Sequence, residues 1–274
     1  MPPKPLPAKL AIQLLLACVL SVQAVASEPN TSAIDLPVVS QADLHETFSL
    51  AGEWRFRPGD DLAWATPQFN DSNWLAMALP GRWPDRGYPE TKQFAWYRLT
   101  LKIQDFDVDR DAYGEQLGIR MGKVMNAYEL YAGGRLLGGV GRLPPLAEIN
   151  YDRQKVYTLP NNAIADDGTL TLALRVWGGE AYNVANWGGG PYDGEFAIGT
   201  YSALLLDGIV GQIPGLIFCV LFLGFGVYTL YLYYRNRQLN NYLWFGLLAI
   251  NIGIYGLMLN QWKFWFDWSF LALK

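Results

Sequence analysis

Between Trp177 and Gly194 the chain gathers groups suited to holding a saccharide. Trp177, Tyr182, Asn183, Asn186, Trp187, Tyr192 and Asp193 stand there among six glycines. Aromatic rings stack on the C–H faces of a sugar, while amides and a carboxylate take its hydroxyls. A mostly apolar site with a few polar groups that fix orientation is the usual form of a ligand site. These seven residues are the candidate ligand-binding set. Gly188, Gly189 and Gly190 have no side chains to pack around Trp187, so its ring is expected to be partly exposed on a mobile loop. The segment also lies just ahead of a long apolar run. Contact with a membrane surface or with helices is the alternative use for the same residues.

Little else is equipped for chemistry. His45 is the single histidine, and the two cysteines, Cys18 and Cys219, lie in strongly apolar stretches. That composition excludes a zinc site of the Cys/His type, a disulfide framework and, unless His45 folds back, a Ser-His-Asp triad. Asp105, Asp107, Asp109 and Asp111 have the spacing of a calcium loop. Such a loop needs glycine where Arg110 stands and a bidentate glutamate where Gln116 stands. A solvated acidic loop accounts for them better. No metal, cofactor or catalytic residue is expected. The net charge of −4 gives no basic footprint for nucleic acid.

The elements that must position the candidate residues are strands. Tyr97, Leu99, Leu101 and Ile103 alternate with Arg98, Thr100, Lys102 and Gln104, a period of two with one buried and one wet face. Leu117, Ile119 and Met121 repeat the pattern, as do Leu170, Leu172, Leu174 and Val176. Gly133-Gly134, between Leu130 and Leu137, is a two-residue hairpin signal. Short strands separated by Gly, Pro and Asp turns predict a mainly β unit, an antiparallel β-sandwich or jelly roll. Residues 45–203 are assigned to it, with 27–44 as a linker.

Both ends are apolar. Lys4 and Lys9, the Leu10–Leu20 run and Ala24-Val25-Ala26 fit a signal peptide over 1–26. A retained anchor helix and a lipoprotein signal ending at Cys18 are the other readings, and all three put the β unit outside the cytoplasm. Residues 204–274 form a membrane region, with transmembrane α-helices expected at about 209–234 and 239–260 and a third starting from 269. Arg235-Asn236-Arg237 makes their connection cytoplasmic by the positive-inside rule. Gln261–Trp268 suits the opposite interface. The expected location is a bacterial inner membrane with the β unit in the periplasm.

Five ordered segments resemble the sugar-binding jelly roll of glycoside hydrolase family 2. They are Leu50-Ala51-Gly52-Glu53-Trp54-Arg55-Phe56, Phe69-Asn70-Asp71-Ser72-Asn73-Trp74, Leu79-Pro80-Gly81-Arg82-Trp83, Ala95-Trp96-Tyr97-Arg98 and Glu129–Gly138. The resemblance implies a galactose-binding-like fold, with Trp54, Trp74 and Trp96 in its core. Glycoside cleavage needs two carboxylates at a set separation. In that family they sit on a separate barrel, to which nothing in this sequence corresponds. The order of exported β unit and helices is similar to the start of bacterial seven-transmembrane receptors with diverse intracellular signalling modules. That likeness implies a non-enzymatic, ligand-sensing part of a receptor whose output module lies downstream of Lys274. Its expected partners are a carbohydrate or other small molecule, the membrane and a second copy of the chain. A membrane-tethered carbohydrate-binding module without a signalling role is the alternative.

Overall fold

The computed structural model describes residues 36–88, 94–104, 116–179 and 188–266. The signal segment, the acidic run at 105–111 and the apolar start at 269 lie outside them. Along the chain come β1 (Val38–Val39), α1 (Gln41–His45), β2 (Phe48–Ser49), β3 (Gly52–Pro58), β4 (Leu75–Leu79) and β5 (Phe94–Ile103). Next are β6 (Leu117–Met121), β7 (Lys123–Met125), β8 (Ala127–Ala132), β9 (Arg135–Val140) and β10 (Lys155–Thr158). β11 (Thr169–Trp177), β12 (Gly190–Asp193) and β13 (Ala197–Thr200) complete the β unit, and α2 (Tyr201–Val210), α3 (Ile213–Arg235) and α4 (Asn240–Leu259) come after it.

The main sheet runs β4-β3-β5-β11-β8-β9, with β1 added parallel beside β5. A second sheet runs β10-β6-β13-β2, and β12 pairs with β7 as a ribbon. Apart from β1, the pairings are antiparallel. Alternation builds the interior. Tyr97, Leu99 and Leu101 of β5 stand opposite Leu174, Leu172 and Leu170 of β11. These pack with Ile119, Met121, Tyr157 and Ile198 of the second sheet in one buried cluster. The result is the predicted sandwich, followed by helices. Gly133 and Gly134 turn the β8–β9 hairpin with φ of 55° and 80°, the left-handed pair that such a turn requires.

Two expectations change. The stretch assigned to a linker carries β1 and α1, with Val39 and Leu44 buried in the interior. β1 finds the part of β5 beyond the reach of β3, pairing at Lys102 and Ile103 while β3 stops at Arg98. Elements of two to five residues are too short to show a period. Arg98, placed on the wet face, is only 1 % exposed. The chain between β3 and β4 folds back over that face. Trp64 and Trp74 pack on Trp96 as a second apolar cluster, and Arg98 sits beneath the same segment.

α3 and α4 are long and apolar enough to cross a bilayer. They form an antiparallel hairpin whose seam is made of small residues. A Cβ on Gly226 would lie 2.6 Å from Ile250 Cγ1, and one on Gly253 would lie 2.7 Å from Leu223 Cγ. Close backbone approach through glycine is how apolar helices associate where no hydrophobic effect drives them.

Candidate functional site

The described part of the glycine-aromatic segment divides in two. Trp177 ends β11, in register with Phe94 and Ala127. Alternation puts it with Arg175 on the outer face of the main sheet. It is 5 % exposed, so its ring is not an open platform. The carbonyl of Gly178 accepts a 2.6 Å hydrogen bond from Asn126 Nδ2. Asn126 takes φ of 70° at the joint between β7 and β8. Tyr182, Asn183, Asn186 and Trp187 lie outside the described residues. Gly188, Gly189 and Gly190 lie flat against Pro84 and the Trp83 indole, where a Cβ on Gly190 would come within 2.8 Å of Trp83 Cδ1. Trp83 N donates to Gly189 O at 2.9 Å, and Gly81 N to Pro191 O at 2.6 Å. These glycines therefore allow a close approach that fixes the backbone. The expectation that they leave it mobile is corrected for 188–190.

Tyr192 and Asp193, on β12, face a different neighbourhood. Asp193 accepts from Lys123 Nζ at 2.9 Å. Lys123 also pairs with Asp152 at 3.5 Å. Asp152 in turn holds Lys263, just beyond α4. Gln261 clasps the same segment: Gln154 N donates to its Oε1 at 2.9 Å, and its Nε2 donates to Asp152 O at 2.7 Å. Tyr192 OH donates to Tyr151 O at 3.2 Å. The Lys123 hydrogen bond holds Asp193 below the usual carboxylate range. Burial, helped by the carboxylates of Asp152 and Asp193, pushes the Tyr192 phenol up. Candidate ligand residues and the end of the helical hairpin thus share one polar network.

Sequence reasoning missed two further clusters. On the outer face of the main sheet, Arg175 makes a two-pronged bond to Asp60, at 2.7 and 2.5 Å, and a third to Glu129 at 3.0 Å. Trp96 Nε1 donates to Asp60 and Tyr131 OH to Glu129. Burial and that hydrogen bond push the Tyr131 phenol up to about 12. Arg175, Glu129, Trp96 and Tyr131 sit at wet positions of their strands, and Asp60 lies just beyond β3. Only the register that sets Arg175 opposite both Glu129 and Trp96 reveals the cluster. On the second sheet, Arg120 reaches Glu195 and Asp207, both at 2.6 Å, and donates to Leu204 O. Leu204 is fully buried, and a Cβ on Gly118 would sit 3.2 Å from its Cδ1. Arg120 therefore seats α2 on the sheet. Among the described residues, no three His, Cys, Asp or Glu side chains gather where they could hold a metal ion.

No family model matches the chain, and no curated protein matches it. Solved structures that resemble it include a beta-glucuronidase from Bacteroides uniformis, at 21% identity and a TM-score of 0.43, covering 56% of this chain and 17% of that one. Another is a glycosyl hydrolase family 2 member from Bacteroides cellulosilyticus, at 15% identity and a TM-score of 0.43, covering 57% of this chain and 20% of that one. A third is a beta-glucuronidase from Bifidobacterium dentium complexed with coumarin-3-O-glucuronide, at 16% identity and a TM-score of 0.41, covering 60% of this chain and 31% of that one. The chain thus spans less than a third of the length of each of these proteins.

Proposed function

We propose that these residues are the ligand-sensing extracytoplasmic domain and first membrane helices of a bacterial signalling receptor. The ligand is a carbohydrate or another small hydroxyl-rich molecule. The observation that carries this reading is the linker-free join between sandwich and helices. β13 passes into α2 without a linker, Thr200 ending the strand and capping the helix. The hairpin then returns to the sandwich at Asp152. A tether needs only a flexible connection. A sensor needs its ligand domain and helices to move together, so that a ligand with different affinity for two arrangements shifts their populations.

The domain itself is proposed to be non-catalytic. Asp60 and Glu129 are both tied to Arg175, an arrangement that serves the closure of the outer face. The chain should therefore hydrolyse no aryl glycoside. The orientation test is a pair of reporter fusions: one after Asn186 should be active only outside the cytoplasm, and one after Gln238 only inside. The function test is a panel of neutral mono- and oligosaccharides titrated against the full chain in lipid nanodiscs, with hydrogen exchange as readout. A sugar that alters exchange in both the sandwich and 258–266 supports a sensor. Binding felt by the sandwich alone turns the assignment to a tethered carbohydrate-binding module. Failure of every sugar to bind removes carbohydrate from the proposal.

A further inference from the structure

We infer that Asp152 is the joint through which the state of the β12 strand reaches the outer end of α4, its carboxylate being shared between two lysines, Lys123 at Oδ1 and Lys263 at Oδ2. This rests on the sensor reading and names how its site is regulated. Four charges alternate across the junction: Asp193, Lys123, Asp152 and Lys263. Asp193 is more than half exposed, whereas Lys123 and Asp152 are each about four-fifths buried and Lys263 is 9 % exposed. The end that a ligand can reach is therefore Asp193, and the end fixed to the helices is Lys263.

One carboxylate set between two lysines makes the chain of pairs a transmitter rather than a clamp. Lys123 divides its donors between Asp193 at 2.9 Å and Asp152 at 3.5 Å. Burial works against its charge, and the two carboxylates outweigh that penalty. When Asp193 is taken over by a ligand donor, Lys123 is left with Asp152 alone. A buried ammonium that loses one carboxylate leans harder on the other. The Asp152 carboxylate then turns toward Lys123 and draws its other oxygen away from Lys263, and the turn after α4 loosens. The Gln261 clasp holds the backbone of 152–154 against that turn meanwhile, so the change falls on side-chain charges. Coupling of this kind is a free energy between two sites, measurable without knowing the ligand.

The test is a double-mutant cycle in the full chain in nanodiscs, read by thermal unfolding. Asp193→Asn stands in for an occupied Asp193, and Lys263→Met removes the far end. The observed pairs that link the two residues run through Lys123 and Asp152. The expected double mutant departs from the sum of the single shifts by about 2–4 °C, the size typical of one shared network. Repeating the cycle on Asp152→Asn should return the shifts to additivity. A remote control, Asp193→Asn with Lys102→Met, should be additive throughout. Additivity of Asp193 and Lys263 in the native background overturns the joint. Coupling that survives Asp152→Asn overturns the role of Asp152. If Lys263→Met does not fold, Lys263→Gln provides the same cycle. Since no sugar is present, failure here leaves the saccharide titration of the sensor reading intact, and failure there leaves this cycle intact.

Discussion

Replacing Arg98 by methionine tests how the outer face of the main sheet is closed. The side chain is 1 % exposed and its Nε donates to Asp71 at 2.7 Å. Its Nη1 donates to the carbonyls of Trp64 and, at 3.1 Å, Thr66; its Nη2 reaches Phe69 O at 3.4 Å. One guanidinium thus binds four points of the segment that covers Trp96. Methionine keeps the stem and removes every donor. Breaking a buried ion pair from one side costs about 3–5 kcal/mol. Asp71 is 25 % exposed and recovers part of its hydration, which favours the lower half of that range. The three carbonyls are relieved only if the segment lifts, and lifting it uncovers Trp64 and Trp74.

The expected net loss is about 3–4 kcal/mol, which for a domain of this size lowers Tm by roughly 6–16 °C. Arg98→Lys should recover only part of this, because an ammonium cannot supply a planar fork to several acceptors. Asp71→Asn should cost less than Arg98→Met, since the carbonyls keep their donor. The assay is thermal unfolding of the full chain, with tryptophan emission recorded below the transition. A red shift in Arg98→Met before unfolding would show the cover loosening over its tryptophans. A melting point within about 2 °C of wild type, with unshifted emission, would refute the reasoning: the cover would then be held by its apolar contacts alone.

Trp74→Ala should cost about 3–5 kcal/mol, while Trp74→Phe should cost under about 1.5, because the buried Trp74 Nε1 has no hydrogen-bond partner to lose; calorimetry on both distinguishes ring from N–H. Gly226→Val should split the α3–α4 seam, where its Cβ would meet Ile250 at 2.6 Å and Gly246 O at 2.9 Å, whereas Gly224→Ala, with open space around its Cβ, should be tolerated; heat stability in detergent reads the difference. Burial pushes the Tyr157 phenol from 10.0 up to about 12. The folded state then keeps a proton that the unfolded state releases, so stability should be unaffected below pH 10 and should fall between pH 10 and about 12. Tyr157→Phe should make that decline less steep in alkaline denaturation curves, with Tyr131 and Tyr192 supplying the remainder.

The sandwich was legible because alternation is a local signal. Tyr97–Ile103 and Leu170–Val176 declare their buried faces without knowing each other, and the register that joins Leu99 to Leu172 follows once both must face one interior. The three tryptophans expected in the core are buried. Two of them, however, close the outer face rather than fill the space between the sheets. That is why Arg98 misled: alternation assigns a side of the sheet, and water is only its default occupant. The resemblance held the missing clue. The segment carrying Asp71 and Trp74 and the strand carrying Trp96 and Arg98 were matched as separate motifs, and the structure joins them by an ion pair and a ring cluster.

The candidate site was less legible for a different reason. Seven residues within one stretch of eighteen were grouped because neighbours in sequence were assumed to be neighbours in space. Trp177 and Asp193 belong to strands in different sheets, and their side chains meet different partners. The partners that give Asp193 its meaning come from β7, from the segment before β10 and from beyond α4. Lys123, Asp152 and Lys263 are each unremarkable in sequence, as solvated charges usually are. Their significance is the alternation of sign across a junction between sheet and helix. Arg120 obeys the same logic, its two carboxylates lying on either side of β13 in the chain. Where the sandwich meets the helical hairpin, it is such charges, drawn from segments far apart in the chain, that tie the two parts together.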